Sequence, residues 1–97
     1  MSKQFENVEC RSGAPMGRPS KMKPENFQGK TRCFRIKMVD GDYDDGGAYW
    51  GSGNQPVYCA CNDNGLFMST RANSRAEAKA KFQRLATMIN QTIQWIN

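Results

Sequence analysis

The side chains that most often carry out chemistry are few in this sequence. The 97 residues include no histidine, so the commonest general base is missing. The four cysteines (Cys10, Cys33, Cys59 and Cys61) could form two disulfides or hold a structural metal ion. Structural zinc sites more often use CxxC pairs or histidine, whereas Cys59 and Cys61 lie two residues apart on one face of a predicted strand. We therefore expect reduced, mostly buried thiols in a protein that is not an enzyme and has no catalytic residue, cofactor or metal. A small redox or metal protein using Cys59 and Cys61 is the alternative.

Three alternating aspartates, Asp40, Asp42 and Asp44, match the first three ligand positions of an EF-hand calcium loop. The glycine that such a loop requires is displaced by one position. The twelfth position, which needs a glutamate, is Gly51 in this chain. We therefore predict a solvated acidic loop rather than a dedicated calcium site.

The same loop carries two large aromatic residues between glycines, in the run Gly-Gly-Ala-Tyr-Trp-Gly at 46–51. Tyr49 and Trp50 are costly to leave exposed in a chain whose mean hydropathy is −0.77. They either pack against the sheet and hold the loop in place, or wait for a partner such as an unpaired base. We favour packing and keep both residues as secondary binding candidates.

The net charge of +5 is distributed unevenly along the chain. Residues 1–38 carry a net charge of +6, residues 39–63 carry −5, and residues 64–97 carry +4. The two basic segments could collect phosphates from a nucleic acid, and ordinary solubility charge is the alternative interpretation.

The secondary-structure elements predicted from the sequence indicate one α+β domain over residues 1–97. These elements must position the candidate residues named above. Period-two alternation predicts a strand over 31–39. The face expected to be buried carries Phe34, Ile36 and Met38. The face expected to be exposed carries Cys33, Arg35 and Lys37. Residues 56–61 and 66–70 predict two further strands, joined by the tight-turn sequence Asn-Asp-Asn-Gly at 62–65.

A C-terminal helix follows these strands. Ser74 is its predicted N-cap, and Glu77 at the third helical position completes a capping box. The apolar residues expected on its buried face are Phe82, Leu85, Ala86, Ile89, Ile93 and Ile96.

The N-terminal third of the chain is less regular. Residues 11–30 are rich in Gly, Pro and Lys and predict a long loop or an arm. Residues 1–10 alternate weakly and could add a short edge strand. The expected order is therefore β-β-β-α after an N-terminal arm, with a three- to four-stranded antiparallel sheet and the helix packed on one face.

No apolar run approaches the roughly 18 residues that a membrane span needs. The first ten residues also lack the apolar core of a signal peptide. We therefore expect a cytoplasmic protein with no membrane partner.

The helix start at 74–81, Ser-Arg-Ala-Glu-Ala-Lys-Ala-Lys, follows three strands and resembles the C-terminal part of a double-stranded RNA-binding domain. That resemblance implies that Arg75, Lys79 and Lys81 meet phosphates, aided by the positive end of the helix dipole. The N-terminal helix of such domains is missing, because residues 11–30 cannot form it.

The segment Gly17-Arg18-Pro19, followed by Lys21 and Lys23, resembles an AT-hook core that lies in a narrow minor groove. Met16 stands where the arginine before the glycine should be. A generic basic arm that folds on a partner is the interpretation we favour.

Four sequence blocks follow one another between residues 13 and 79. They are Gly-Ala-Pro-Met-Gly-Arg at 13–18, Tyr-Asp-Asp-Gly-Gly-Ala-Tyr-Trp-Gly at 43–51, Pro-Val-Tyr-Cys-Ala at 56–60 and Arg-Ala-Asn-Ser-Arg-Ala-Glu-Ala-Lys at 71–79. Together they resemble a group of small proteins encoded by phages and mobile elements, mostly without an assigned function. The chain departs from that group in its lysine-rich segment 20–30. In its small size and its lack of catalytic motifs it is similar to anti-CRISPR proteins that block type I surveillance complexes.

The resemblance implies a phage-encoded inhibitor of host defence that acts in the host cytoplasm. Its partner would be a type I host CRISPR-Cas effector complex, bound at the guide RNA or the adjacent protein groove so that target DNA is blocked. The residues expected to make this contact are Arg32, Arg35, Lys37, Arg71, Arg75, Lys79 and Lys81. The secondary candidates are Arg18, Lys21, Lys23, Tyr49 and Trp50. The alternative is a small basic RNA- or DNA-binding accessory protein of the double-stranded-RNA-binding type.

Overall fold

Six strands and one α-helix form in the part of the chain that the computed structural model describes, residues 20–51 and 53–97. The elements, after a short 3₁₀ helix at Pro24–Phe27, are β1 (Lys30–Arg35), β2 (Met38–Asp40), β3 (Tyr43–Asp44), β4 (Val57–Cys61), β5 (Phe67–Arg71), α1 (Arg75–Met88) and β6 (Gln94–Trp95). No helix within these two ranges is long and apolar enough to cross a membrane. The predicted α+β class is confirmed.

The main sheet has four strands in the order β5-β4-β1-β6. β5, β4 and β1 are antiparallel, as the sequence predicts. β6 runs parallel to β1 through the pairs Lys30–Gln94 and Thr31–Trp95, so the sheet is mixed and the prediction of a wholly antiparallel sheet is wrong. The predicted strand over 31–39 is divided between β1 and β2, and β2 pairs with β3 in a separate two-stranded sheet.

The β4–β5 hairpin turns where the sequence predicts it, and Asn62 holds the turn in place. Its side-chain oxygen accepts hydrogen bonds from the backbone N–H groups of Asn64 (2.8 Å) and Leu66 (3.1 Å). Its side-chain nitrogen donates to the backbone oxygen of Asn26 (2.8 Å) and the hydroxyl of Thr31 (3.2 Å). The turn is therefore tied to the segment that leads into β1.

One hydrophobic core lies between α1 and one face of β1, β4 and β5. The helix buries three residues spaced four apart, Ala78, Phe82 and Ala86. Facing them on neighbouring strands is a row in which Cys33 pairs with Ala60 and Ala60 pairs with Met68.

The face of β1 that points into this core is the opposite of the predicted one. Thr31 and Cys33 are fully buried, whereas the side chain of Phe34 is 40% exposed. Because the ring of Phe82 fills the space between helix and sheet, the strand positions beneath it favour small side chains such as Cys33 and Ala60. The prediction is therefore wrong for Cys33 and Phe34, whereas Arg35 and Lys37 are exposed as predicted and Ile36 and Met38 are half-buried.

The start of α1 agrees with the predicted capping box in part. The Oγ atom of Ser74 accepts a hydrogen bond from the N–H of Glu77 at 3.1 Å. The carboxylate of Glu77 accepts from the N–H of Asn73 at 2.7 Å, one residue before the N-cap. Ser74 is thus the N-cap, and the reciprocal bond reaches one residue further than in a standard box.

The helix ends at Met88, earlier than predicted, because Asn90 adopts a left-handed conformation with φ of 60°. The N–H of Asn90 donates to the carbonyl of Thr87, and the N–H of Gln91 donates to the carbonyl of Ala86. This pair of bonds is a Schellman motif, which satisfies the last helical carbonyl groups and stops the helix.

Beyond this stop the chain returns to the sheet, and the predicted helical face is divided. Ile93 is buried in the core, whereas Leu85 and Ile96 are 37% and 48% exposed. The continuation of the helical face to Ile96 is therefore wrong. Residues 94–95 instead pair with β1, which is what makes the sheet mixed.

Residues 20–30 of the predicted arm lie against the sheet. Lys21 and Phe67 exchange two backbone hydrogen bonds, at 2.9 and 3.1 Å. Phe27 is buried and Met22 packs against the core. The rest of the predicted arm with Arg18, and the candidate strand with Cys10, lie outside the described residues.

Candidate nucleic-acid interface

The strand register brings several of the predicted cations to one end of the sheet. Arg35 is the last residue of β1 and pairs with Tyr58 in β4. The preceding residue of β4, Val57, pairs with Arg71 at the end of β5. α1 begins four residues later at Arg75. These three arginines are separated in sequence, and the antiparallel pairing gathers them at the same end.

A groove of about 560 Å³ opens at this end of the sheet. Its charged and polar lining includes Arg35, Lys37, Asp42, Gln55 and Arg71. The chain between β1 and β2 forms one side, and the segment that leads into β4 forms another. Three of the predicted contact residues therefore share one concave surface, together with one aspartate that the prediction did not include.

Arg35, Lys37 and Arg75 are exposed and make no ion pair with any carboxylate in the described part of the chain. We call these three residues the cationic end. Exposed cations without an internal acidic partner are available to phosphates, and a cluster of them raises the local concentration of a polyanion.

The guanidinium of Arg71 holds the neighbouring loop. It donates hydrogen bonds to the backbone oxygens of Trp50 (3.0 Å), Gly51 (2.8 Å) and Gln55. A Cβ atom at Gly53 would lie 2.8 Å from its Nε, so the loop packs directly on this side chain. Arg71 therefore forms part of the groove wall, with much of its hydrogen-bonding capacity already used.

The two predicted lysines of α1 also have internal contacts. Lys81 donates a hydrogen bond of 2.8 Å to the backbone oxygen of Arg71 and lies 3.8 Å from the carboxylate of Glu77. The ammonium group of Lys79 lies 5.5 Å from the ring centroid of Trp95. Both lysines are half-buried, so of the predicted helical cations Arg75 is the most accessible.

Arg32 and the described lysines of the predicted arm lie away from the cationic end. Arg32 pairs with Cys61 at the opposite end of β4. Lys21 bridges to Phe67 at that same end, and Lys23 precedes the 3₁₀ helix. The predicted contact set is therefore divided between two ends of the sheet.

The acidic loop is organised around Asp44, whose role the sequence interpretation missed. Asp44 is 4% exposed, and its carboxylate accepts hydrogen bonds from the backbone N–H groups of Gly46 (2.9 Å) and Ala48 (3.0 Å) and from the indole N–H of Trp50 (2.9 Å). An aspartate directly before a Gly-rich turn is the signal that could have revealed it. Among the described residues no group of His, Cys, Asp or Glu could hold a metal ion.

Tyr49 and Trp50 are both half-buried, so neither predicted alternative describes them fully. The ring of Tyr49 lies 5.0 Å from that of Tyr43, and Trp50 is held through its indole N–H by Asp44. These contacts fix the loop on itself rather than in the main core. Both side chains therefore remain partly accessible to solvent.

Cys33 is fully buried beneath the start of α1, and burial raises the pKa of its thiol, while the charges of Lys79 and Arg75 oppose this rise. Its backbone N–H and carbonyl both bond the side-chain amide of Asn97, at 3.1 and 2.9 Å. Cys33 and Cys61 are free thiols, and Cys61 is half-buried. The burial and raised pKa make Cys33 a structural residue rather than a reactive one.

We expect Cys61 to be alkylated by iodoacetamide well before Cys33 at about pH 8, because Cys61 is half-buried, whereas Cys33 is fully buried and burial raises the pKa of its thiol. Timed labelling followed by peptide mass spectrometry measures the order. The same labelling in urea is the control, since unfolding should make the two rates similar. Faster labelling of Cys33 in the folded protein would contradict this assignment.

Comparison with known proteins finds no matching family model, no matching curated protein and no matching solved structure.

Proposed function

We propose that this chain is a phage-encoded inhibitor of host defence that binds a type I CRISPR surveillance complex through its cationic end. The observation that carries the proposal is the exposure of Arg35, Lys37 and Arg75, which make no ion pair within the described residues; Arg35 and Lys37 line the groove, and Arg75 begins the helix that follows β5. A surveillance complex presents guide RNA in a protein groove, and the phosphates of that RNA are the natural counter-charge.

The mechanism is occupation of a surface that target DNA needs. The cationic end would engage guide-RNA phosphates or the protein groove beside them, so that DNA is excluded sterically and by competition for the same charges.

A small nucleic-acid-binding accessory protein is the second candidate, favoured by the position of the exposed Arg75 at the start of α1. It predicts binding to free RNA or DNA whose logarithmic affinity falls linearly with the logarithm of salt concentration. The inhibitor, by contrast, need not bind naked nucleic acid with comparable strength.

We expect the double variant R35A/K37A to weaken capture of the surveillance complex by about 10- to 100-fold, since two charge-assisted contacts are lost. Quantitative pull-down with a purified type I complex measures capture, and phage plating on a CRISPR-immune host measures protection. The matched control is K30A/R84A, which removes the same charge at two exposed positions outside the groove.

If the control variant loses as much capture of the surveillance complex as R35A/K37A does, net charge rather than the cationic end drives binding. The inhibitor proposal fails if the wild-type chain captures no type I complex across a panel of host subtypes and protects no phage. Salt-sensitive binding of free RNA or DNA in that case would support the accessory protein instead.

A further inference from the structure

The sheet face that points away from α1 carries basic and aromatic side chains. Alternation places Arg32 and Phe34 of β1 on this open face, since Cys33 between them faces the core. Through the strand pairing, Arg32 shares a row with Phe67, and Phe34 shares a row with Ser69. Cys59 of β4 lies between Phe34 and Ser69 in that row and is fully buried, whereas Phe67 and Ser69 are half-buried, so this face is most accessible at Arg32 and Phe34 of β1.

Charge on these strands has one sign. β1, β4 and β5 contain no aspartate or glutamate, and alternation places three of their four cations, Lys30, Arg32 and Arg71, on the open face, whereas Arg35 lies on the same face as Cys33. Arg32 is exposed and makes no ion pair within the described ranges. A sheet face that lacks acids and offers a free guanidinium is complementary to a polyanion.

Phe34 is the second feature that points to a ligand. Its side chain is 40% exposed in an interior strand of the sheet, and no aromatic ring among the described residues stacks with it. An exposed phenylalanine contributes little to folding, whereas its ring can receive a nucleobase of any identity.

We infer that the open face, through Phe34 and Arg32, binds an unpaired stretch of nucleic acid, with a base stacked on Phe34 and a backbone phosphate at Arg32. This inference rests on the proposed function in one way: it specifies that the partner bound by the cationic end contains unpaired nucleic acid. Single strands fit this surface better than a duplex, since paired bases cannot turn a face toward a flat sheet.

Fluorescence anisotropy with a labelled oligouridylate of about 12 nucleotides tests the inference, because single-strand sites commonly span up to about 16 nucleotides. An oligothymidylate of the same length distinguishes RNA from DNA, and a duplex RNA is the comparison. We expect the single strand to bind more tightly than the duplex. Arg32→Ala is expected to reduce the slope of the salt dependence by about 0.7.

Variants at Phe34 separate stacking from other effects. We expect Phe34→Ala and Phe34→Leu to weaken oligonucleotide binding about tenfold, and Phe34→Tyr to retain it, because leucine keeps apolar volume but has no π face. Met88→Ala is the matched control, since Met88 is an exposed apolar residue on α1. Because Arg32, Phe34 and Met88 are all on the surface, thermal melting should confirm that each variant folds.

Wild-type binding by Phe34→Leu, or a duplex bound as tightly as the single strand, would overturn the inference. So would the absence of oligonucleotide binding by the wild-type chain at low salt. The oligonucleotide assay contains no effector complex, so its failure is separable from that of the proposed function. Phe34-dependent binding without capture of a surveillance complex would support this inference while contradicting the inhibitor.

Discussion

Replacing Asp44 with alanine is expected to lower the free energy of unfolding by about 3 kcal/mol. The buried carboxylate accepts hydrogen bonds from the N–H groups of Gly46, Ala48 and Trp50, and alanine leaves all three donors without this acceptor. A buried donor without a partner costs about 1–3 kcal/mol, and the loop recovers part of that cost by opening to water. Urea denaturation measures the change.

Asp45→Ala is the matched control for Asp44→Ala, since it removes the same charge from the adjacent, exposed position. It should change the free energy of unfolding by less than about 0.5 kcal/mol. Similar losses in the two variants would mean that loop charge, rather than the hydrogen bonds of Asp44, stabilises this part of the fold. Intrinsic fluorescence of Trp50 should shift only in the Asp44 variant.

Replacing Phe82 with alanine is expected to have the larger effect, a loss of about 4 kcal/mol. Phe82 is fully buried between α1 and the sheet, and its ring lies 6.2 Å from that of Trp95. Removing it opens a cavity over Cys33 and Ala60, whose small side chains cannot fill the space. Thermal and urea denaturation, monitored by circular dichroism, measure the loss.

Leu85→Ala is the informative control for Phe82→Ala. The helical pattern assigns both residues to the buried face, but Leu85 is 37% exposed and should cost about 1 kcal/mol or less. Equal losses would contradict the helix orientation. A loss that is large only for Phe82 would confirm that α1 contacts the sheet through residues spaced four apart.

The elements that local sequence predicted well are those that short-range hydrogen bonds specify. Ser74 caps α1 because its hydroxyl reaches an N–H three residues later. Asn62 closes the β4–β5 turn because its amide reaches N–H groups two and four residues later. Neither contact needs any other part of the fold, so residue type and spacing are sufficient signals.

The predictions that failed concern choices that depend on packing. The alternation in β1 offers Cys33 on one face and Phe34 on the other, and either face could be buried. In the folded protein Cys33 shares the core with Phe82, and Phe34 lies on the opposite face of the strand with its side chain 40% exposed. Similarly, the apolar spacing runs on to Ile96, but a left-handed Asn90 stops α1 and lets Ile93 return to the core. An asparagine inside a helical pattern is only a weak indication that the helix ends there. A prediction from apolar periodicity alone therefore continues the helix past it.

The sequence indicated which cations are candidates for the site, but it did not indicate how they are arranged in space. Seven cations were expected to share one contact surface, yet Arg71 and Lys81 are engaged by backbone oxygens and Arg32 lies at the other end of β4. Arg35 and Lys37 do share the groove. Long side chains reach acceptors that are far away in sequence, so no local pattern indicates which cations remain available.

By itself the sequence determined the charge balance, the absence of histidine, the α+β class and the local caps and turns. These follow from residue types and from contacts within a few positions of each other. Only the tertiary structure decided that β6 joins the sheet in parallel, that Asp44 organises the aromatic loop, and that Phe34 faces solvent. Each of these depends on which distant groups meet after folding, and packing density and hydrogen-bond satisfaction then allow one arrangement.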